Sequence, residues 1–437
     1  MSSSEPEFND AREYSSLEEV MNTLLTAKGK SFRELDQTGR ALTGGNKGSL
    51  GQIIEESVLK YAINSDAAPD IHIGDTSYEL KVTPLKHIKK GKQTSAKERL
   101  VIDIINYLTL ADETDFESSK MWDKAKNIIL VYYYDDRTDK KKELRIDCKV
   151  LASYLMKYEA DDLATIKNDW HVIRDKVASG HADSLSESDT NYLAACTKGA
   201  NSKQLREAPA PAGANTATIF AKQRAFSLKT SYMTAIARKL LNRKSETVRL
   251  PIPQEQNLDE YVAAKFIPYT GKSSRDIASE LQVSAAPTAK NYNSSLAFAM
   301  LGASKSSISK IEQFSKANIS QFKSVTIYPD GLPREHMSFK AITDDQWEEW
   351  PIPKPHGNSH SYATSSKPAS SLSWFTKSPI PYQSGHDKAK DIFKGAFLWN
   401  MPEDDIEQYV KPVWETMHTL LVAHTPLNYG IRGKNLI

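Results

Sequence analysis

Between Pro69 and Lys92 the chain reads PDIHIGDTSYELKVTPLKHIKKGK: an aspartate, then Glu-X-Lys, then a dense run of lysines. Side chains alternate along a strand, so Glu79 and Lys81 project to one side while Leu80 turns to the other. Two carboxylates from different segments, Asp70 and Glu79, can hold a hard divalent cation through oxygen. Such a cation polarises a phosphodiester and lowers the pKa of an attacking water. A lysine in the same cluster orients or deprotonates that water, or balances charge growing on phosphorus. The pattern is that of a Mg²⁺-dependent nuclease centre.

The elements that must position these groups are also readable. Gly74 and Asp75 supply a reversal between Ile71–Ile73 and Tyr78–Val82, which brings Asp70 back towards Glu79. Upstream, GQIIEESVLKYAI from Gly51 predicts an amphipathic helix with Ile54, Val58 and Leu59 at helical spacing. Glu55 on that helix is either an ordinary flank residue or a further carboxylate aimed at Asp70 and Glu79. Downstream, Lys81, Lys86, Lys89, Lys90, Lys92, Lys97 and Arg99 concentrate positive charge, either as a polyanion-attracting patch or as a solvated loop.

With 437 residues and 39% hydrophobic content, the chain can bury two cores, and two domains are expected. A net charge of +2 means that any DNA binding comes from the placement of charge. The two cysteines, Cys148 and Cys196, form no close metal or redox spacing. The N-terminus MSSSEPEFND is polar and acidic, unlike a signal peptide, and runs such as IILVYYY are too short to span a membrane. No membrane association and a reducing cytoplasm are expected.

IILVYYY followed by DDRTDKKKELRI predicts two strands around an exposed hairpin, with the tyrosines in a sheet core. TKGANSKQLREAPAPAGANT reads as a flexible loop carrying Lys198, Lys203 and Arg206. Prolines in PIPQEQNLDEYVAAKF mark a boundary before a segment starting near Leu258. SSRDIASELQVS then predicts a short helix-turn unit, YNSSLAFAMLGA a helix ending in glycine, and FKSVTIY a strand. Setting SFK at 338–340 beside ELK at 79–81 places Ser338 where the glutamate would stand.

GQIIE at 51–55, PD at 69–70, ELKVTPLK at 79–86 and TSAKERLVIDIINY at 94–107 together resemble the family containing the mismatch-repair nicking nuclease MutH and the type II restriction endonucleases that cut at GATC. DWHVIRDKVASGHADSLSESDTNYLAACTKGA at 169–200 and AKQRAFSLKTSYMTAIARKL at 221–240 are similar to later parts of the same catalytic domain. FKGAFLWNMPEDDIEQYVKPVWETM at 393–417 is similar to the second domain of the larger restriction enzymes.

The resemblance implies a mixed α/β (α+β) fold: a restriction-endonuclease-like PD-(D/E)XK catalytic domain, then a catalytically silent MutH-like domain for DNA binding and regulation. It implies a flexible tail at 1–14, the catalytic domain at 15–245, a linker at 246–257 and the second domain at 258–437. That second domain is expected to be disturbed at 351–389, which is rich in proline and serine where the family has a hydrophobic strand. It is also expected to be shortened at its end.

Residue by residue, the catalytic set is Glu55, Asp70, Glu79 and Lys81, with Asp70 and Glu79 on Mg²⁺. The expected DNA contacts are Lys86, Lys89, Lys90, Lys97 and Arg99 from the basic patch and, by the resemblance, Lys203, Arg224 and Lys229. The implied activity is cleavage of double-stranded DNA 5′ to the G of GATC, leaving 5′-phosphate ends, within a restriction-modification system. Its cognate methyltransferase would be a genetic partner, and both cuts would be made either by a transient dimer on DNA or in successive reactions. A methyl-directed nicking enzyme and a non-cleaving DNA-binding protein are the alternatives.

Overall fold

The run IILVYYY has no polar face to offer water. In the computed structural model Ile128–Tyr134 is accordingly a strand buried from Ile128 to Tyr133, as expected of a strand covered on both faces. The structure describes residues 13–39, 49–61, 70–88, 93–138, 144–199, 204–241, 247–303, 307–334, 370–377 and 387–399, with 408 and 412.

Helices α1 (Leu17–Leu25), α2 (Phe32–Leu35) and α3 (Ser49–Gln52), the last continuing as a π-helical segment Ile53–Val58, come first. Strands β1 (Ile71–Ile73), β2 (Thr76–Ile88), β3 (Gln93–Ala96) and β4 (Leu100–Ile104) follow, then α4 (Tyr107–Asp112) and α5 (Lys120–Ala125). The buried strand is β5, followed by β6 (Val150–Leu155), α6 (Ala160–Ala178), β7 (Leu193–Thr197), β8 (Leu205–Pro209), β9 (Thr218–Lys222), β10 (Arg224–Leu228) and α7 (Thr230–Leu240). The remainder is α8 (Leu258–Phe266), α9 (Ser274–Glu280), α10 (Tyr292–Met300), α11 (Glu312–Lys316), β11 (Ile319–Ile327), β12 (Ser370–Lys377) and β13 (Ile392–Trp399). The fold is mixed α/β. Among the described residues no helix is long and apolar enough to cross a membrane.

β2 organises the first sheet. It pairs antiparallel with β1 at its start, parallel with β5 from Glu79 to Leu85, and antiparallel with β3 at its far end. Leu80, Ile129, Val131 and Tyr133 pack into one core with residues of α1, α2 and the π segment. Ile128, Leu130 and Tyr132 point the other way, into a larger core that runs through α6, β7, β10 and α7 to α8, α10, β12 and β13. Each fully buried aliphatic or aromatic side chain contributes about 1.5–3 kcal/mol, so both faces of β5 hold the sheet in register.

Several expectations change. The partner of β5 is β6, and the ELRI segment instead contains a 3₁₀ turn at Arg145–Asp147. Part of the Pro-rich loop is strand β8, whose Pro209 is accommodated because the β8–β9 sheet has only two strands. Tyr14, placed with the tail, is buried and donates to the Leu59 carbonyl at 2.9 Å. Within 351–389 the segment Ser370–Lys377 is the central strand of a three-stranded sheet, burying Leu372 and Trp374. Trp374 and Leu372 give that segment an apolar face that serine-rich composition conceals.

The second half repeats a hydrogen-bond lattice of the first. Gly29 N–H donates to Val150 O (2.8 Å), Val150 N–H to Lys30 O (2.9 Å) and Phe32 N–H to Cys148 O (3.1 Å). Gly271 N–H donates to Phe393 O (2.8 Å), Phe393 N–H to Lys272 O (2.9 Å) and Ser274 N–H to Asp391 O (2.8 Å). Both stretches read Gly-Lys-Ser, both glycines have positive φ (82° and 88°), and both serines cap the next helix. The strands repeat as well: β2 is parallel to β5 and β5 antiparallel to β6, as β11 is parallel to β12 and β12 antiparallel to β13. This topology puts Gln321-Phe322-Lys323, and not the segment at 338–340, in the place of Glu79-Leu80-Lys81; Ser338 lies outside the described residues.

The expected linker is packed between the halves. Leu250 is buried, and Arg249 pairs with Asp161 of α6 and with Glu312 of α11. Beside it, Lys316 Nζ reaches both carboxylate oxygens of Asp162 (2.8 and 2.7 Å) with both residues almost fully buried. Removing one partner of such a pair strands the other charge. Lys316→Met alone is expected to cost roughly 3–5 kcal/mol in urea unfolding, and Lys316→Met with Asp162→Leu to recover most of that loss; a single variant as stable as the parent would contradict this packing.

Candidate active site

The β1–β2 hairpin is closed by two residues, Gly74 and Asp75, with Ile73 opposite Thr76 and Ile71 opposite Tyr78. Gly74 has φ 56°, the conformation that a type II′ hairpin requires at its first central position. The reversal returns Asp70 to β2, where its Oδ2 accepts from the Leu80 N–H at 2.8 Å. The Asp70 carboxylate is thus fixed at the backbone between Glu79 and Lys81.

Glu79 is only 6% exposed. Its N–H donates to Asn127 O at 2.9 Å, and Oε1 accepts from Lys81 Nζ at 2.5 Å. Oε2 is buried without a partner among the described residues. Burial raises the pKa of this carboxyl, Lys81 opposes the rise, and Asp70 adds to it.

Glu55 does not sit on the regular helix predicted for 51–63. After Gln52 the turn widens into the π segment, with Leu59 N–H donating to Ile54 O at 2.9 Å, and Lys60 at φ 61° ends it. Single π turns inside helices are rare and recur at functional sites. Ile53 and Ile54 enter the core while Glu55 stays half-buried. Burial pushes the Glu55 carboxyl up to about 7; Asp70, Glu79 and Glu56 add to the rise and Lys81 opposes it. The structure therefore brings Glu55, Asp70, Glu79 and Lys81 within electrostatic range of one another.

Lys124 was not evident from the sequence. Glu79 pairs with Ile128, the first residue of β5, so the end of α5 lies beside the site. There Lys124 bonds Asp103 Oδ1 at 3.0 Å and favours the ionised form of Glu79. No local spacing signals a contact between residues so far apart in the chain.

Among the described residues no three His, Cys, Asp or Glu side chains form a metal-holding group, so Glu55 does not close a cage with Asp70 and Glu79. Two carboxylates still suit Mg²⁺, which keeps several waters and takes one or two carboxylates plus phosphate oxygens. The unpartnered Glu79 Oε2 and the mutual repulsion of Glu79 and Asp70 are what a divalent cation would relieve. The residues present fit the ion.

Several of the basic residues named as DNA contacts also bond within the chain. Lys86 stands seven positions from Glu79 along β2, roughly 23 Å at the rise of a strand, and lines a cavity of about 560 Å³ with His87, Lys97, Asp135, Asp136 and Arg137. Lys97 bonds Asp135 O at 2.7 Å and Oδ2 at 3.0 Å. Although burial opposes it, bonds from Arg137 and Lys97 bring Asp135 down to about 2. Arg99 pairs with Glu187, Arg224 is 2% exposed and donates to Ala195 O at 2.9 Å, and Lys229 donates to Thr190 O. Lys97, Arg99, Arg224 and Lys229 thus each have an acceptor within the chain. Lys89, Lys90 and Lys203 lie outside the described residues.

Residues 59–169 match the family described as DNA mismatch repair enzyme MutH. Over 415 residues the chain is 33% identical to the type II restriction enzyme Sau3AI of Staphylococcus aureus, covering 92% of this chain and 79% of that enzyme. The chain belongs to the MutH/type II restriction-enzyme family. It is also 26% identical over 225 residues to the DNA mismatch repair protein MutH of Shewanella woodyi, covering 50% of this chain and 90% of the relative. The family is one of nucleases, and the segment matched to MutH includes Asp70, Glu79, Lys81 and Lys124.

The Glu55 shift has a consequence for stability. The folded chain holds this proton more tightly than the unfolded one, so the stabilisation is complete below about 4.5 and is lost as pH rises through about 7. In metal-free protein, Glu55→Gln is expected to remove about 1–3 kcal/mol of the decline in unfolding free energy over that window. Urea unfolding across pH measures it, and identical pH slopes for parent and variant would contradict the placement of Glu55.

Proposed function

We propose that the chain is a Mg²⁺-dependent type II site-specific deoxyribonuclease that cuts double-stranded DNA at GATC, 5′ to the G, leaving 5′-phosphate ends. The observation that carries this reading is the convergence of Asp70, Glu79 and Lys81 on the stretch of β2 where pairing with β5 begins, with Glu55 within electrostatic range. The relationship to a type II restriction enzyme supports it.

Asp70 and Glu79 hold Mg²⁺ in this reading, and when bound the ion supplies Lewis-acid polarisation and a more acidic water. The Leu80 N–H orients Asp70, and the Asn127 carbonyl fixes the backbone of Glu79. Lys81 balances Glu79 in the metal-free chain and is placed to orient the attacking water or to offset charge on phosphorus. Glu55, with its raised proton affinity, is suited to accept a proton from that water.

Residues 15–245 form the catalytic domain in this proposal, with 246–257 as the connection. Residues 258–437 form a non-cutting DNA-binding and regulatory domain, and Gln321 in place of Glu79 supports its silence. Two chains would meet transiently on the duplex, since one active site cannot cut both strands at once, and a cognate methyltransferase would protect the host. A methyl-directed nicking enzyme is the second reading, favoured by the match of residues 59–169. The MutH relative covers only 50% of the chain, which argues against it.

Incubating the protein with unmethylated, half-methylated and fully methylated GATC duplexes in Mg²⁺ separates the readings. Double-strand cleavage of the unmethylated duplex is expected, and Glu79→Ala should reduce the rate by at least about a hundredfold. Nicking confined to the unmethylated strand of the half-methylated duplex would favour the second reading, and activity retained by Glu79→Ala would overturn both.

A further inference from the structure

We propose that Tyr14 is a positioning residue for Glu55: it clamps the end of the π segment and so keeps that carboxyl beside Asp70 and Glu79. The kinetic consequence rests on the nuclease reading, whereas the placement of Glu55 does not.

Two backbone bonds close the widened turn. Leu59 N–H donates to Ile54 O and Tyr61 N–H to Glu55 O, both at 2.9 Å. Tyr14 touches both of the donating residues. Its hydroxyl donates to the Leu59 carbonyl at 2.9 Å, and its ring stacks on that of Tyr61, with centroids 5.6 Å apart and planes 18° from parallel. The Leu59 carbonyl stands at a helix end, where no further turn supplies a donor, and the Tyr14 hydroxyl takes that place. A phenylalanine would fill the same space in the core shared with Ile53, Ile54 and Leu59, so the hydroxyl has a task beyond packing.

The turn needs such a clamp. Lys60, between the two clamped residues, has φ 61°, a conformation unfavourable for a residue with a Cβ. From the side of α2, Gln37 accepts from Lys60 Nζ and its own N–H donates to Ser57 Oγ at 3.1 Å. In a regular helix residues five apart stand roughly 140° apart around the axis. The widened turn instead brings Ile54 and Leu59 into one core, both with no exposure. It leaves Glu55 half-buried, within electrostatic range of Asp70, Glu79, Glu56 and Lys81. A turn that reverted to regular spacing would keep one of the two apolar anchors only by rotating the other, and Glu55 would turn with the part that moves.

The test compares the full chain with Tyr14→Phe, which keeps the ring and loses the hydroxyl. Steady-state cleavage of a GATC duplex in Mg²⁺ gives the kinetic readout, and NMR of the Glu55 carboxyl carbon across pH in metal-free protein gives one independent of activity. Tyr14→Phe is expected to lower kcat about tenfold with KM little changed, since a displaced proton acceptor slows the chemical step without removing a DNA contact. The Glu55 titration is expected to move from about 7 towards the ordinary glutamate value of 4.5. An unchanged Glu55 titration, or an unchanged kcat in an active parent, would make Tyr14 a packing residue and overturn the inference, even if the melting temperature falls. Absence of cleavage by the parent would overturn the nuclease reading, and the Glu55 titration would then decide the role of Tyr14 by itself.

Discussion

A carboxylate buried on a strand, where that strand begins to pair with its parallel neighbour, is unstable as an anion unless its surroundings compensate it, and that constraint at Glu79 shapes the centre. Lys81 compensates one oxygen directly and Lys124 does so at longer range, while Asp70 works against both. The other Glu79 oxygen has no partner among the described residues. The position is tolerable only because β2 cannot shift: a slip of one residue would send Glu79 and Lys81 to the opposite face. Burial of β5 on both faces, with β1 and β3 paired to the ends of β2, prevents that slip.

The two halves share one scaffold and differ where chemistry is concerned. The Gly-Lys-Ser bonds to the last strand and the parallel-then-antiparallel strand order recur, whereas the glutamate on the key strand becomes Gln321. The halves also share a core. The Lys316–Asp162 pair, the Tyr192 hydroxyl on Gln313 O and the Leu258 N–H on Thr165 tie α6 and β7 to α8 and α11. Ser231 of α7 donates to Lys316 O, and α7 in turn bonds β3 through Thr234 and Arg238. The base of β11 is thereby connected through packed elements to the sheet that carries Glu79.

Local chemistry made part of this legible from the sequence alone. Gly74-Asp75 between two short apolar runs specified the hairpin, and the two-residue period of Glu-X-Lys specified a shared face. Buried tyrosines in IILVYYY followed from a run with no polar side. The π turn at Glu55 was not legible, because apolar spacing does not separate a regular turn from a widened one. Lys97, Arg99 and Arg224 looked like open cations because their acceptors, Asp135, Glu187 and Ala195, come from distant segments. Lys124 escaped notice for the same reason, and β12 was hidden by serines that are buried within the sheet.

The central claim is that Asp70 and Glu79 together hold one divalent cation. Titrating metal-free protein with Mn²⁺ in the presence of duplex DNA, and counting bound ions by electron paramagnetic resonance, tests it directly. A site that weakens at least about tenfold in both Asp70→Asn and Glu79→Gln is the expected result. Undiminished Mn²⁺ binding in either variant would contradict it.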